Sequence, residues 1–357
     1  MTEITLSRVT DWADLGQRWR ALEERSDCSF FQSWTWTGCR AEERFPDPVL
    51  LEAKSDGRVV VMALFNRRRT MTGQQTLWLG ESGRRDFDAI YIEWNGLLVE
   101  TGTPPRLLAD CLRAARRAPL NGWRPWVGRR LVLSGVDEPT MLAAQTADGH
   151  LEMLRQSSAP YVDLAALRQR QQPYLAALSG NTRYQLRRSA RAYAATGELE
   201  LRRAASLDEA MAYLNALTAL HQTTWTRRGR SGAFADPWIG DFHRTLVQRG
   251  LERGEIALLR LAAGGRVVGY LYNFEFRGSV VNYQSGFDYE GAERHQKPGL
   301  TSHHHAIIDA ASRDFARYDF LAGDDRYKRS LGTAEAKLGW LEVGGGWPNR
   351  LLARWAR

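Results

Sequence analysis

Residues 255–288, EIALLRLAAGGRVVGYLYNFEFRGSVVNYQSGFD, admit few folds. Apolar, β-branched and aromatic runs are broken at Gly264-Gly265 and at Arg277-Gly278. Tight hairpins need such pairs, because their central residues take positive φ. The stretch therefore predicts a three-stranded antiparallel meander, which must bury at least one face under helices. Those helices are at hand. YLAALSGNTRYQLRRSARAYAATG reads as helical and stops at Gly197, ELELRRA follows as a strand, and LDEAMAYLNALTALHQTTWTRRG sets Leu214, Leu217, His221 and Trp225 along one helix face. After the meander, the loop YEGAERHQKPG leads into a helix, LTSHHHAIIDAASRDFA, and RYDFLAG closes as a strand.

The first half is written in a similar order. DWADLGQRWRALEERS is an acid-started amphipathic helix. VLLEAKSDGRVVVMALFNRR is a hairpin turned at Asp56-Gly57, while QTLWLG and AIYIEWNGLLV read as further strands. PPRLLADCLRAARRA is a proline-opened helix, and GRRLVLSGV returns as a strand. Each half thus runs helix, antiparallel strands, helix, strand. The expected class is α+β, with two tandem domains, each a mostly antiparallel sheet covered by helices. SSAPYVDLA has the character of a connection, which puts the domains at residues 1–160 and 161–357.

Composition narrows the setting. With 357 residues, 43% hydrophobic and 25% charged, both halves can bury a core. No run approaches the roughly 20 apolar residues of a membrane span, and the first residues carry no basic-then-apolar signal pattern. Cys28, Cys39 and Cys111 fit neither a disulfide framework nor a metal spacing, so buried thiols and a cytoplasmic location are the default. A net charge of +8 favours an anionic partner without choosing among nucleic acid, membrane and phosphorylated small molecule. The tail GGGWPNRLLARWAR, with Trp347, Leu351, Leu352 and Trp355 among basic residues, could lie at the surface of the inner membrane or pack on the core.

Four constellations could carry chemistry. RHQKPGL places Gly299, Leu300 and Thr301 at a helix N-terminus, where free amides attract phosphate, and Arg294 and Lys297 could add charge; an ordinary capped loop would look the same. The triplet His303-His304-His305 cannot converge on one metal, since neighbouring helical side chains point about 100° apart; one histidine should face the sheet and the others solvent. Arg183, Arg187, Arg188 and Arg191 crowd a stretch without acids, as a phosphate-binding surface or a solvated basic face. His221 and Trp225 lie one helical turn apart, and His221 could be a general base or a buried histidine satisfied by its neighbours.

The last constellation is DFLAGDDRYKRSLGT, residues 319–333. Asp319 falls inside a strand, where an acid needs a partner or a task. Tyr327 could protonate a leaving group and Lys328 could stabilise developing negative charge; a salt-bridged surface turn is the alternative.

YQLRRSARAYAATGELELRRA, LHQTTWTRRGRSGAFADP, NYQSGFDYEGAERHQKPGLTSHHHAIIDAA and RYDFLAGDDRYKRSLGT together resemble the CelD-like branch of the GCN5-related N-acetyltransferase (GNAT) superfamily, named for a role in bacterial cellulose biosynthesis. The resemblance covers about residues 165–335, and the full glycine run of the superfamily's pyrophosphate loop is missing although Gln296 and Gly299 are present. The tandem architecture is also similar to the Fem-type aminoacyltransferases. The resemblance implies two acetyltransferase-like domains with the site in the second. It implies an acyl-CoA co-substrate, with an acyl carrier protein as the other donor, and no permanently bound cofactor or metal. The pyrophosphate would meet the amides of Gly299, Leu300 and Thr301, helped by Arg294 and Gln296, and the strand carrying Tyr283 would pair with the pantetheine arm.

Lys328 matches the lysine of the aromatic-Lys pair of the Fem-type enzymes and takes its transition-state role by analogy, with Tyr327 as the acid. Asp319, Asp324 or His221 would accept the amine proton, and Arg183, Arg187, Trp225 and Asp325 would hold the acceptor. The expected activity is acyl transfer to an amine of an envelope sugar, polysaccharide or lipid precursor. The rival readings are a Fem-like transferase using charged tRNA, with nucleic acid the less favoured partner, and a binding module without catalysis.

Overall fold

The computed structural model describes residues 2–69, 73–120, 122, 125 and 128–344. The chain forms two compact units, Met1–Ser157 with Lys337–Arg357, and Ser158–Ala336. This differs from a single division at 160, because the chain returns to the first unit after Ala336. SSAPYVDLA is also not a loop: it is the end of a strand, in which Pro160, lacking an N–H, uses only its carbonyl to accept from Phe320 N (3.1 Å). The C-terminal segment carrying Trp347, Leu351, Leu352 and Trp355 lies outside the described residues.

In the first unit the elements are β1 (Thr2–Arg8), α1 (Trp12–Glu23), α2 (Trp34–Arg44), β2 (Pro48–Ser55), β3 (Arg58–Arg69), β4 (Gln75–Leu79), β5 (Leu98–Val99), α3 (Pro105–Arg117), β6 (Arg130–Val136) and α4 (Glu138–Thr146). Their sheet runs β1-β2-β3-β4-β6, with β5 on β3. Every pairing is antiparallel except β4 with β6.

The second unit begins within β7 (Leu151–Asp163) and continues through α5 (Leu164–Gln169), α6 (Tyr174–Ala177), α7 (Gly180–Ala194), β8 (Leu199–Arg203), α8 (Leu207–Arg227), α9 (Pro237–Leu251), β9 (Ile256–Ala263), β10 (Arg266–Phe276), β11 (Ser279–Phe287), α10 (Pro298–Ser312), β12 (Arg317–Asp319) and α11 (Arg326–Leu331). β13 (Ala334–Val343) begins here and ends in the first unit, paired antiparallel with β6. The sheet runs β7-β12-β11-β10-β9-β8, again antiparallel but for one joint, β11 with β12.

The α+β class, with two similar sheets under helices, is therefore as expected, and the meander turns where its glycines stand. Gly197 takes φ +150 because its Cα faces Gly264, and a Cβ there would come within 2.4 Å of that backbone.

One predicted strand is absent. AIYIEWNGLLV forms a strand only at Leu98–Val99. The preceding residues enter the first unit between β4 and β6, beyond their three paired positions. Asn95 Nδ2 donates to Leu79 O (3.0 Å) and to Ser134 O (3.1 Å), joining the two strands where they part. Its backbone donates to Gly135 O and accepts from Asp137 N. Gly135 is obligatory beside this plug, since a Cβ would sit 2.2 Å from Ile92 O.

Candidate active site

The second unit has the same parallel joint without a plug. β11 and β12 pair only at Ser279–Arg317, Val280–Tyr318 and Val281–Asp319, after which β11 continues alone to Phe287. The register with β10 slips between Tyr272 and Asn273, leaving Tyr283 as an extra residue in β11. Bulges bend a strand and increase its twist, and here the bend widens the gap. Beside it lies a cleft of about 450 Å³. Its walls come from α8 (His221, Thr224, Trp225, Arg228), the end of β11 and the next loop (Gln284, Ser285, Phe287, Tyr289), the start of α10 (Lys297, Gly299, Leu300, His303) and the start of α11 (Asp325, Arg326, Tyr327).

At the α10 end, Ser189 of α7 organises the helix N-terminus: its Oγ accepts from Lys297 N (2.8 Å) and pairs with Thr301 Oγ1 (2.8 Å). The Thr301 amide donates to Lys297 O, so it is not available to a ligand. Among the described residues no acceptor is paired with the Gly299 or Leu300 amide. Gly299 is close-packed: a Cβ would lie 3.2 Å from both Phe287 Cε2 and Tyr289 Oη. Gln296 is buried and braces the loop, its Oε1 accepting from Glu293 N (2.8 Å). Arg294 is exposed. Desolvation, then the charges of Arg188, Arg294 and Lys297, lower the pKa of His295, whose Nε2 accepts from Arg188 (2.7 Å). The approach to this helix end is thus strongly positive.

At the α11 end, Tyr327 stacks on His303 with ring centroids 5.2 Å apart and planes 13° from parallel. Burial, then the nearby carboxylate of Asp325, push its phenol well above the usual tyrosine value, so it stays protonated. Asp325 is the one carboxylate lining the cleft among the described residues.

Several expected catalytic residues stand elsewhere. Lys328 and Asp319 are buried outside the cleft lining and grip a strained turn. Leu321 has φ +63, costly for a non-glycine residue. Its amide donates to Asp319 Oδ1 (2.6 Å) and its carbonyl accepts from Lys328 Nζ (3.3 Å), which also reaches Ala322 O (2.6 Å). Asp319 is further paired with Arg317 (2.6 Å). These two residues hold the turn that delivers Tyr327. Asp324 is exposed and paired with Arg329. His221 does line the cleft, but both ring nitrogens are engaged: Nδ1 donates to Ser285 O (3.2 Å) and Nε2 accepts from Ala233 N (3.3 Å).

The expected binding residues divide in the same way. Trp225 and Asp325 line the cleft, whereas Arg183 donates to Leu178 O (2.5 Å) and Arg187 is exposed away from it. The Tyr283 ring is buried against His243, Tyr272 and Phe274. Of the histidine triplet, His303 is buried as expected, but His304 and His305 are half-buried rather than exposed, because Tyr174 covers His304 (centroids 6.0 Å). No metal-binding cluster occurs among the described residues. Arg228 and Tyr289 were not singled out by sequence, and His303 only within its triplet; no spacing rule ties them to Tyr327.

Residues 180–329 match the acetyltransferase (GNAT) domain. That domain makes the chain a transferase. Solved structures with a similar fold include FemX (TM-score 0.63, 10% identity, 98% of this chain and 99% of that one). The C-terminal domain of a putative lysylphosphatidylglycerol synthetase from Agrobacterium fabrum scores 0.57 at 12% identity, covering 96% and 95%. L-PGS from Bacillus licheniformis scores 0.56 at 11% identity, covering 94% of each chain. At such identities the likeness is one of fold. No curated protein matches the sequence. No described helix is long and apolar enough to cross a membrane.

Proposed function

We propose that the second unit transfers an acyl group from a CoA thioester to a primary amine on an envelope sugar, polysaccharide or lipid precursor, as the CelD-like resemblance implies. The observation that carries this reading is the open joint between β11 and β12, flanked by the Gly299 and Leu300 amides at one end and the protonated Tyr327 at the other. Helix amides and the basic residues around His295 suit a pyrophosphate. The bare edge of β11 suits an extended amide-bearing arm. The aromatic wall of Trp225, Phe287 and Tyr289 suits the acyl end.

In the reaction, the amine nitrogen attacks the thioester carbon, a C–N bond forms, and the C–S bond breaks. The departing thiolate takes the Tyr327 proton, and Asp325 receives the proton lost by the amine, directly or through water. Lys328 acts on this chemistry through the turn it holds. In the first unit, among the described residues, the corresponding joint is closed by Asn95.

The test is a thermal-shift titration with acetyl-CoA, long-chain acyl-CoAs and free CoA, followed by thiol-release assays with amine acceptors. Stabilisation by one acyl class together with amine-dependent thiol release supports the reading. Stabilisation by none, with salt-sensitive binding of charged tRNA, would replace it with aminoacyl transfer. No transfer from either donor would leave a binding module.

A further inference from the structure

We propose that His303 presents a fixed Nε2–H to the cleft and donates it to the acyl carbonyl oxygen as that oxygen becomes an oxyanion. The inference deepens the acyl-transfer reading above and rests on it.

A chain of buried groups determines which ring nitrogen holds the proton. Asn282 Nδ2 donates to Asn273 Oδ1 (2.8 Å) and lies 3.4 Å from Gln284 O, so this atom is the amide nitrogen. Asn273 therefore has its oxygen toward Asn282 and its NH₂ left for Tyr318, with which it shares a side-chain hydrogen bond. The Tyr318 oxygen thus accepts from Asn273, and its own proton is directed to His303 Nδ1, 3.3 Å away. With Nδ1 accepting, the neutral imidazole carries its proton on Nε2.

Among the described residues that nitrogen, itself buried, has no hydrogen-bond partner, and the ring that carries it is 1% exposed and belongs to the cleft lining. A buried donor without an acceptor bears a standing desolvation cost, which a substrate oxygen would relieve. The ring is also held in place: Tyr327 stacks on one face, and Phe287 and Phe320 meet it nearly edge-on at 5.7 and 5.5 Å. Burial, then the Lys328 charge, push its pKa down to about 3, so the ring remains a neutral donor rather than an acid. Tyr327 and His303 then act on the two atoms that gain charge, the sulfur and the carbonyl oxygen. Donors set in advance around a developing charge act without reorganisation during the reaction.

The test uses the full chain with isotope-labelled histidine. His303, assigned by its disappearance in His303→Phe, should show the nitrogen shifts of the Nε2–H tautomer at neutral pH, and Tyr318→Phe should redistribute them. A proton on Nδ1, or a charged ring, overturns the proposal. In turnover, His303→Phe keeps the stacked ring and should lower kcat by about 100- to 1000-fold. KM for the donor should stay within about threefold, and His303→Gln, which restores an N–H, should return to within about tenfold of wild type. Wild-type kcat in His303→Phe, or a loss confined to KM, overturns it as well. If wild type turns over no thioester at all, the donor reading fails instead, and the tautomer measurement alone decides whether His303 is held as a donor.

Discussion

Tyr327→Phe separates chemistry from packing at this site. The substitution removes one oxygen and leaves the ring that stacks on His303 and meets Phe320 at 6.1 Å. No hydrogen bond of the Tyr327 hydroxyl to another described residue supports the fold, so the melting temperature should stay within about 2 °C of wild type. The rate should not. General acid catalysis contributes typically 100- to 10,000-fold, or about 3–6 kcal/mol at roughly 1.4 kcal/mol per decade. The assay is thiol release under saturating amine, with two thioesters of one acyl group: one with an alkyl thiol leaving group and one with a far more acidic aryl thiol. A thiolate that is stable by itself needs no acid, so the deficit should shrink by about tenfold or more with the aryl donor. Because its phenol pKa is raised, Tyr327 stays protonated through the working range and adds no alkaline limb of its own near the ordinary tyrosine value. A variant with kcat within about threefold of wild type, or an equal deficit with both leaving groups, would refute the role of Tyr327 as the acid.

Other perturbations test the remaining parts. Asp325→Asn removes the group that takes the amine proton, together with its ion pair to Lys328 (3.9 Å), and should lower kcat by about 100-fold or more, as read from turnover at saturating amine. Gly299→Ala places a methyl 3.2 Å from Phe287 and Tyr289 and should raise KM for the donor severalfold with kcat nearly unchanged. Lys328→Met leaves the carbonyls of Leu321 and Ala322 without their donor, a loss of about 2 kcal/mol, so melting should fall by roughly 4–8 °C along with activity. In the first unit, burial above all raises the Glu81 pKa to about 7. The folded state holds that proton more tightly than the unfolded chain does. The associated stability is complete below the ordinary glutamate value and is lost as pH rises through about 7, a change on the order of 3 kcal/mol. Glu81→Gln should therefore flatten this decline, and equal melting curves for variant and wild type at acid and mildly alkaline pH would refute it.

The architecture was legible because it depends on local signals. Gly264-Gly265 and Arg277-Gly278 turn the meander and Pro105 opens α3, each by chemistry that sequence displays directly, whereas the helix read through residues 174–197 breaks at Ser179, which caps α7. Part of the cleft lining was legible: Tyr327, Gly299 and Asp325 stand where a charged or glycine-containing loop follows a strand, and Trp225 stands on an amphipathic helix. What sequence did not display is that Lys328, Asp319 and His221 already have protein partners, and for one reason. Sequence shows that a polar residue enters an apolar setting, but not whether a backbone carbonyl or amide is already there to meet it. Lys328 found two carbonyls, Asp319 an amide and an arginine, His221 one of each kind.

The same limit hid what distinguishes the two units. Each has one parallel joint in an antiparallel sheet, and at each an asparagine-containing segment adjoins the opening. In the first unit Asn95 donates to both strands and seals them. In the second, Asn282 stays within its own strand and the neighbouring one, and passes its hydrogen bond through Asn273 and Tyr318 to His303, leaving the opening free. Four residues on β10, β11, β12 and α10 must therefore be brought together before one histidine acquires a defined proton. No spacing in the chain encodes that arrangement, since it exists only across strands. Asn95 meets two backbone carbonyls across the joint, whereas Asn282 meets the side chain of Asn273. The closed joint of one unit and the open joint of the other differ in the partners of two buried amides.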